Sequence, residues 1–474
     1  MIEPPTADVQ DAVIDFLSRP ASYGLRDGEV ARIETHCSVV FLAADRAYKL
    51  KRSIRYASLD YTTRALRHAA CQAELVLNRR TAPSLYLGVR SINRDASGML
   101  AFDGPGQAVD HVVVMRRFAQ SDLFDHMTES GRLTPHLMHA LGAAVARLHL
   151  SAEVTPAFGG SDAIRRVIAD NDRELALVAA SLDGAAVGTL SSTARTVLGQ
   201  VAPLLDQRRE QGKVRRCHGD LRLANVCLYA GQPAPFDCIE FSDEIGCIDV
   251  LFDLAFLLMD LHLRGRTDLG NAVFNAYLDC APETEGLRAL PLFLAVRAAT
   301  RSYALAGNAR RRSDPAEAAR VLALARRHID AGSDFLAPQP PLLLLVGGDT
   351  GPARIKFAEM LAGVAPPVPG ARLLRLDPSG TATWCQAARI LQAGCSVLVE
   401  GDCTREPEQA AVALASRRNV RLLGFSCGVL PPHRNGLPWH TLDASRGMPA
   451  ALAGATSLVT AASPQHKSGT GLPA

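Results

Sequence analysis

The chain has 474 residues, of which 48% are hydrophobic and 21% charged, so it can build more than one buried core. Its formal net charge of +3 is too close to neutral to favour nucleic acid or a membrane surface as a partner. The 11 cysteines include no C-x-x-C pair, which argues against a zinc ribbon or a redox dithiol.

Residues Asp8 to Leu17 predict a short helix. Val39 to Leu42 and Ala47 to Lys51 are two β-type runs, separated by Ala43-Ala44-Asp45-Arg46 in a hairpin pattern. Thr63 to Arg80 has apolar residues at helical spacing, and Val89 to Ile92 and His111 to Met115 predict further strands. Pro135 to His149 and Asp162 to Leu182 predict helices. Val214 to Asn225 interrupts the helical run, which then continues to about Gly332. The segment 337–341, Ala-Pro-Gln-Pro-Pro, is a stiff linker with few donors. That composition predicts few contacts across it, and so two separable domains. Leu342 to Val346 is a fully apolar strand leading into Gly347-Gly348, where a second domain starts. The end, 463–474, is small and polar and is expected to be disordered. Met1-Ile2-Glu3-Pro4-Pro5 lacks a basic start and an apolar core, and runs such as Ala255 to Met259 are far short of a membrane span. The expected location is the cytoplasm, with free thiols.

Cys217 to Asn225 carries the most chemistry. It contains H-G-D-L-x-x-x-N, from His218 to Asn225, and Phe236-Asp237-Cys238-Ile239-Glu240-Phe241 follows it. An Asp, an Asn five residues later and an acid on a following strand are the parts of a kinase-type phosphoryl-transfer site. Asp220 can accept a proton from a substrate hydroxyl. Asn225 and a later carboxylate can hold Mg²⁺ against nucleotide phosphates. Upstream, Lys49 lies on a predicted strand and Glu74 on the helix after it, the pairing that clamps the α- and β-phosphates of ATP. Lys51 lies on the same face as Lys49 by the period of two, so either lysine can fill that role. Thr35-His36-Cys37-Ser38 stands where a Gly-rich loop would precede these strands, with Ser38 as a possible phosphate contact.

The segment from Thr35 to Met259 resembles the aminoglycoside phosphotransferase superfamily. Within it, the chain resembles two-domain bacterial proteins that carry a C-terminal P-loop domain of the AAA or zeta-toxin-like kinase type. The residues that carry this are Tyr48-Lys49-Leu50-Lys51, Leu59-Asp60, Glu74-Leu75-x-Leu77-Asn78-Arg79-Arg80, Ala82-Pro83-x-Leu85-Tyr86-Leu87-Gly88 and Val114-Met115-Arg116-Arg117-Phe118, with the two downstream motifs and Asp249-x-x-x-Asp253-Leu254-Ala255-Phe256. The resemblance implies an α+β protein-kinase-like bilobal domain over 1–336, followed by a smaller α/β P-loop NTPase-like domain over 342–462. The small lobe would span about 30–115 and the large lobe about 116–332. It implies Asp220 as catalytic base and His218 as a brace of the catalytic loop. Lys49, Glu74, Ser38 and the hinge at Met115 would contact ATP. Asn225 would be one Mg²⁺ ligand and Glu240, in the place of the family's I-D-F aspartate, the other, with Asp237 as the alternative. Asp249 and Asp253 would be structural.

In the second domain the P-loop register falls on Gly348-Asp349-Thr350-Gly351-Pro352-Ala353-Arg354-Ile355. Ala353, Arg354 and Ile355 replace the Gly, the Lys and the Mg²⁺-binding hydroxyl of a working motif, and Pro352 removes an amide donor. Val397 to Asp402 and Trp439 to Asp443 resemble later core strands. A lid would have to lie between Leu430 and Leu437, where only Arg434 is basic. The expectation is a P-loop fold without catalysis.

The expected function is ATP- and Mg²⁺-dependent transfer of a phosphoryl group to a hydroxyl of a small molecule. The rival is a pseudokinase-like nucleotide-binding scaffold. The sequence leaves the oligomeric state and the acceptor open. Basic stretches at His262 to Arg266 and Arg297 to Arg301 lean towards an anionic or neutral acceptor over a polycationic one.

Overall fold

The computed structural model describes residues 7–56, 58–348, 351–377, 379–427, 437, 439–442 and 448–461. The expected lid with Arg434, the expected tail over 463–474, and Asp349, Thr350 and Asp443 lie outside the described residues. The chain divides into two compact units. The first is formed by residues 1–133, 151–155 and 215–248, the second by 134–150, 156–214 and 249–474. No helix among the described residues is long and apolar enough to cross a membrane.

In the first unit, helix α1 (Ala7–Leu17) precedes strands β1 (Ala31–Glu34), β2 (Ser38–Ala43) and β3 (Arg46–Lys51). A small hairpin, β4 (Arg55–Tyr56) and β5 (Leu59–Asp60), leads to helix α2 (Arg64–Asn78). Strands β6 (Tyr86–Arg94), β7 (Leu100–Phe102) and β8 (Gln107–Arg116) complete a six-stranded sheet of order β1-β2-β3-β8-β6-β7, with every pair antiparallel. A separate hairpin, β9 (Val226–Tyr229) and β10 (Gln232–Pro235), follows the catalytic-loop sequence.

Alternation along β2 and β3 sorts their side chains between two cores. Val39, Phe41, Tyr48 and Leu50 pack with Val13 and Leu17 of α1. Leu42 and Ala47 pack with Cys71 and Leu75 of α2. The hairpin is tight: Ala43 pairs with Arg46, and Ala44 turns the chain at φ 49°. Thr63 caps α2 by accepting from the amide of Leu66 at 3.2 Å. The buried residues of α2 are Arg67, Ala70, Cys71, Glu74, Leu75 and Asn78, a helical stripe that carries two charged side chains into the interior.

The second unit holds helices α3 (Pro135–Ser151), α4 (Gly160–Leu177), α5 (Gly184–Glu210), α6 (Val250–Leu263), α7 (Thr267–Cys280), α8 (Leu290–Ala309) and α9 (Pro315–Leu336). An α/β segment follows: β11 (Leu342–Gly348), α10 (Pro352–Val364), β12 (Arg372–Arg375), α11 (Thr381–Gln392), β13 (Val397–Glu400), α12 (Arg405–Arg418), β14 (Arg421–Cys427), β15 (Trp439–Leu442) and α13 (Met448–Ala461). Its five strands are parallel in the order β12-β13-β11-β14-β15. The wholly apolar run of β11 is buried, as a central parallel strand requires. Phe357, Leu361 and Ala362 of α10 close one face together with Ala455 and Val459 of α13.

The expectation of few contacts across the proline linker is corrected here. Helix α7 meets the edge of the parallel sheet through buried polar groups. Asn271 donates to the carbonyls of Pro369 (3.1 Å) and Ala371 (2.9 Å). The Asn275 Oδ1 accepts from the amide of Leu373 (2.8 Å) and from Arg372 (2.9 Å), and Arg372 also pairs with Asp279. Close approach is built in: a Cβ on Gly363 would stand 2.9 Å from the Asp268 Cα. Linker composition reports chain stiffness and is blind to what the flanking surfaces do.

Candidate active site

The predicted site residues that come together lie in the first unit. Lys49 and Lys51 project from β3 on the α2 side of the sheet, as the strand period requires. Both reach Glu74. Lys49 Nζ lies 2.9 Å from Glu74 Oε1, and Lys51 is bonded to the other carboxylate oxygen. Each lysine then takes a second acid: Lys49 pairs with Asp237 and Lys51 with Glu240. Tyr61 adds its hydroxyl to Glu240. The result is a chain of charges running Asp237, Lys49, Glu74, Lys51, Glu240.

Electrostatics favour the charged forms of Lys49 and Glu74. Burial alone would strip the proton from Lys49, but Asp237 and Glu74 outweigh it and hold its pKa well above the usual lysine range. Burial likewise opposes the charge on Glu74, and Lys49 and Lys51 outweigh it, holding that carboxyl below its ordinary range. Burial and the adjacent Glu240 push the Tyr61 phenol upward, so it stays a donor.

The two candidate metal carboxylates differ sharply. Glu240 has a side chain 4% exposed and is bonded to both Lys51 and Tyr61. Asp237 is 42% exposed and turns outward from a left-handed backbone position, φ 64°. Both bonds fall on Glu240 Oε1, and of the two candidate acids Asp237 is the more accessible.

The catalytic-loop sequence is braced from several directions. His218 is fully buried. Its Nε2 donates to the carbonyl of Phe236 at 2.9 Å, and its Nδ1 accepts from the amide of Asp220 at 3.4 Å. Its backbone carbonyl receives the amide of Ile239 at 2.9 Å, so His218 ties the loop to the extended segment after β10 that carries Asp237, where the sequence suggests a strand. Gly219 sits at φ 87°, and a Cβ there would stand 2.9 Å from Ile239 Cγ1. Asn225 donates through Nδ2 to the Asp220 carbonyl (2.9 Å) and to Asp220 Oδ2 (2.8 Å), which leaves Oδ1 as an oxygen donor for a cation. Asn225 Oδ1 and the Asp237 carboxylate are hard oxygen ligands of the kind Mg²⁺ takes.

Ser38 and Met115 occupy quieter places. Ser38 opens β2 with its side chain buried, and its amide donates to Thr35 Oγ1 at 3.0 Å, closing a tight turn over residues 35–38. Met115 lies near the end of β8, packed with Leu42, Ala47 and Val113.

Several bracing residues were quoted in the sequence motifs but given no role. Asn78 accepts from the amide of Cys238 at 2.9 Å, and the Tyr86 hydroxyl accepts from the amide of Asp237 at 3.2 Å. Arg80 donates to the carbonyls of Arg216 (2.6 Å) and Cys217 (3.1 Å). Their signal was a polar residue inside an otherwise apolar helix end or strand start. Arg222 was missed altogether. Its guanidinium forks onto Asp220, with Nε 2.7 Å from Oδ1 and Nη2 2.9 Å from Oδ2.

In the second unit, Asp249 caps α6 by accepting from Leu251 (2.8 Å) and takes a fork from Arg208 at 2.7 and 2.8 Å. Asp253 pairs with His149 at 3.1 Å. Both geometries are those of structural acids. The basic stretches invoked for the acceptor are spoken for: Arg264 pairs with Asp260 and Arg266 with Asp268, each at 3.0 Å. Arg297 is buried against Phe252 and Phe256, 3.9 and 4.7 Å from their ring centres. Their charges no longer argue for any class of acceptor.

In the α/β segment, Arg354 of α10 donates to Glu400 at 2.6 Å and to the carbonyl of Gly348 at 3.0 Å. Both side chains of this ion pair are almost wholly buried.

Comparison with known proteins adds three findings. A model of the phosphotransferase enzyme family matches residues 81–290. An uncharacterized protein of Mycobacterium tuberculosis is 30% identical over 393 residues, 82% of this chain and 72% of that protein, and one from Mycobacterium bovis matches to the same extent. A crystal structure of a choline/ethanolamine kinase family protein from Mesorhizobium loti aligns at 17% identity and a TM-score of 0.41, covering 68% of this chain and 99% of that one.

Proposed function

Because the chain belongs to the phosphotransferase enzyme family and is thus a phosphotransferase acting on a hydroxyl group, we propose that it moves the γ-phosphoryl group of ATP to a small-molecule alcohol with the help of Mg²⁺. The observation that carries this reading is the continuous charge chain from Asp237 through Lys49 to Glu74. It accompanies a catalytic-loop sequence whose Asp220 and Asn225 are hydrogen-bonded to each other.

In this reading Glu74 fixes Lys49, and the ammonium of Lys49 binds the α- and β-phosphates. Asp220 orients the acceptor hydroxyl and receives its proton. The bond from the acceptor oxygen to the γ-phosphorus forms as the bond to the β-phosphate oxygen breaks, and ADP leaves. Asn225 and Asp237 would hold the cation, which supplies neutralisation of the phosphate oxygens. Glu240 acts as a peg: with Lys51 and Tyr61 it fixes the segment after β10 from which Asp237 projects. His218 positions Asp220 and does not react. The turn at residues 35–38, with Ser38, would cover the phosphates, and the backbone near Met115 would meet the adenine. Catalysis is then positioning plus charge neutralisation, as expected for phosphoryl transfer.

The α/β segment fits a P-loop-type domain without catalysis. The residue in the place of the phosphate-binding lysine, Arg354, is spent on Glu400. Ile355 offers no metal ligand, and Pro352 offers no amide donor. The segment would act as a structural or regulatory partner.

The test is a phosphorylation screen with Mg-ATP against sugars, amino alcohols and aminoglycosides, run with the wild type and Asp220→Asn. Transfer to one class of alcohol, abolished by the substitution, supports the reading. Nucleotide binding without any transfer would favour a pseudokinase-like scaffold.

A further inference from the structure

Arg222 has no part in the reaction as described so far, yet it binds Asp220 through two hydrogen bonds. Two of its N–H groups and one from Asn225 fall on the two carboxylate oxygens of Asp220. An ionised carboxylate offers about four acceptor sites, so most of its capacity is taken before an acceptor hydroxyl arrives. The arrangement holds Asp220 still, and it also competes with the job the phosphotransferase reading gives it.

The charge inventory around it sharpens the question. Lys51 is 2% exposed and divided between Glu74 and Glu240. Lys49 is divided between Glu74 and Asp237. The turn over residues 35–38 has a glycine at none of its positions, so it cannot wrap a phosphate in backbone amides as a Gly-rich loop does. Arg222, whose side chain is 17% exposed, is a cation bonded directly to the base. A guanidinium fork matches a phosphoryl group as well as it matches a carboxylate.

We propose that Arg222 is the cation that neutralises the transferring γ-phosphoryl group, and that its fork on Asp220 is where it rests when no triphosphate is bound. Resting on the phosphotransferase reading, this gives the loop two states. Without a triphosphate, Arg222 covers Asp220. When the γ-phosphoryl group arrives, the guanidinium trades one anionic fork for another, and Asp220 is uncovered for the acceptor hydroxyl at the moment its phosphoryl donor is in place.

Calorimetry on the full chain with Mg-AMP-PNP and Mg-ADP tests this. Arg222→Ala is expected to weaken AMP-PNP about tenfold or more while leaving ADP unchanged, and Arg222→Lys is expected to keep most of the difference. Asp220→Ala removes the resting partner and is expected to tighten AMP-PNP severalfold. ATP turnover by Arg222→Ala should fall by ~10³-fold, the scale of a transition-state arginine. A merely structural arginine would weaken both nucleotides alike and would not be replaced by lysine. Equal affinity of Arg222→Ala and wild type for AMP-PNP, with melting temperature preserved, overturns the proposal and leaves the phosphotransferase reading standing. Failure of the wild type to bind either nucleotide overturns both.

Discussion

Lys51 and Glu240 form an ion pair whose side chains are 2% and 4% exposed, one link away from the more open pair of Lys49 and Asp237. The two pairs are chemically alike, but their surroundings assign them different work. One is sealed from solvent. The other keeps a carboxylate within reach of a ligand.

This difference is measurable. Asp237→Ala should abolish Mg-dependent nucleotide binding and leave the melting temperature within a few degrees of wild type. Glu240→Ala should instead destabilise by about 3 kcal/mol, because buried Lys51 loses one of its two acids and is left with Glu74, which Lys49 shares. Thermal melts with a Mg²⁺ titration of nucleotide affinity separate the two. Equal effects on both readouts would return Glu240 to the metal site.

Asp220→Asn should lower phosphoryl transfer by at least two orders of magnitude, the usual scale of a lost general base, ~10²–10⁴-fold. Mg-ATP affinity should not fall, since the side chain faces the acceptor oxygen and its neutralisation loosens the resting fork of Arg222. Single-turnover kinetics with the acceptor found by screening provide the measurement. Near-normal turnover would refute the base assignment.

Stability should fall on mild acidification. His328 is buried in α9, and burial lowers its pKa from 6.5 to about 4. Its folded form resists the proton that its unfolded form accepts. Its contribution is therefore complete above about 6.5 and lost as the pH falls towards 4, a total on the order of 3 kcal/mol. Denaturant melts at pH 7 and pH 4.5 should differ accordingly, and His328→Gln should flatten that slope.

A chain ended at Leu336 should be poorly soluble or melt well below the full chain. The cut strips α7 of the partners of Asn271 and Asn275, leaving a face built for buried contact open to water. Within the intact chain, Asn275→Leu should cost about 1–3 kcal/mol by orphaning the Leu373 amide and removing one of the partners of Arg372. A truncated chain that melts like the full one would mean that this interface contributes nothing to stability.

The residues legible in the sequence were those whose chemistry depends on short spacing. Asp220, Asn225 and His218 stand within one loop, and the alternation of β3 put Lys49 and Lys51 on one face. The order of the elements followed from strong apolar periodicity in α2, β3 and β11. What stayed hidden depended on distant partners. Nothing near Glu240 signals that Tyr61 and Lys51 will seal it, and nothing near Arg222 signals that it folds back on Asp220. The short β1, Ala-Arg-Ile-Glu, alternates over four residues only, and β10, Gln-Pro-Ala-Pro, carries no strand signal at all, so both depend on the neighbours that pair with them. The linker misled for the same reason, since the polar face of α7 looks like a solvated one until β12 is set against it.

The pairing of Arg354 with Glu400 has an evolutionary consequence. A lysine at position 354 would keep the charge but lose the fork, and removing Glu400 first would strand a buried guanidinium. Each one-step path towards a phosphate-binding turn thus crosses a destabilised intermediate, with the two positions strongly epistatic. The ion pair works as a ratchet: once both residues are in place, drift at either one is penalised by the other, and the segment is held to this pairing by its own stability.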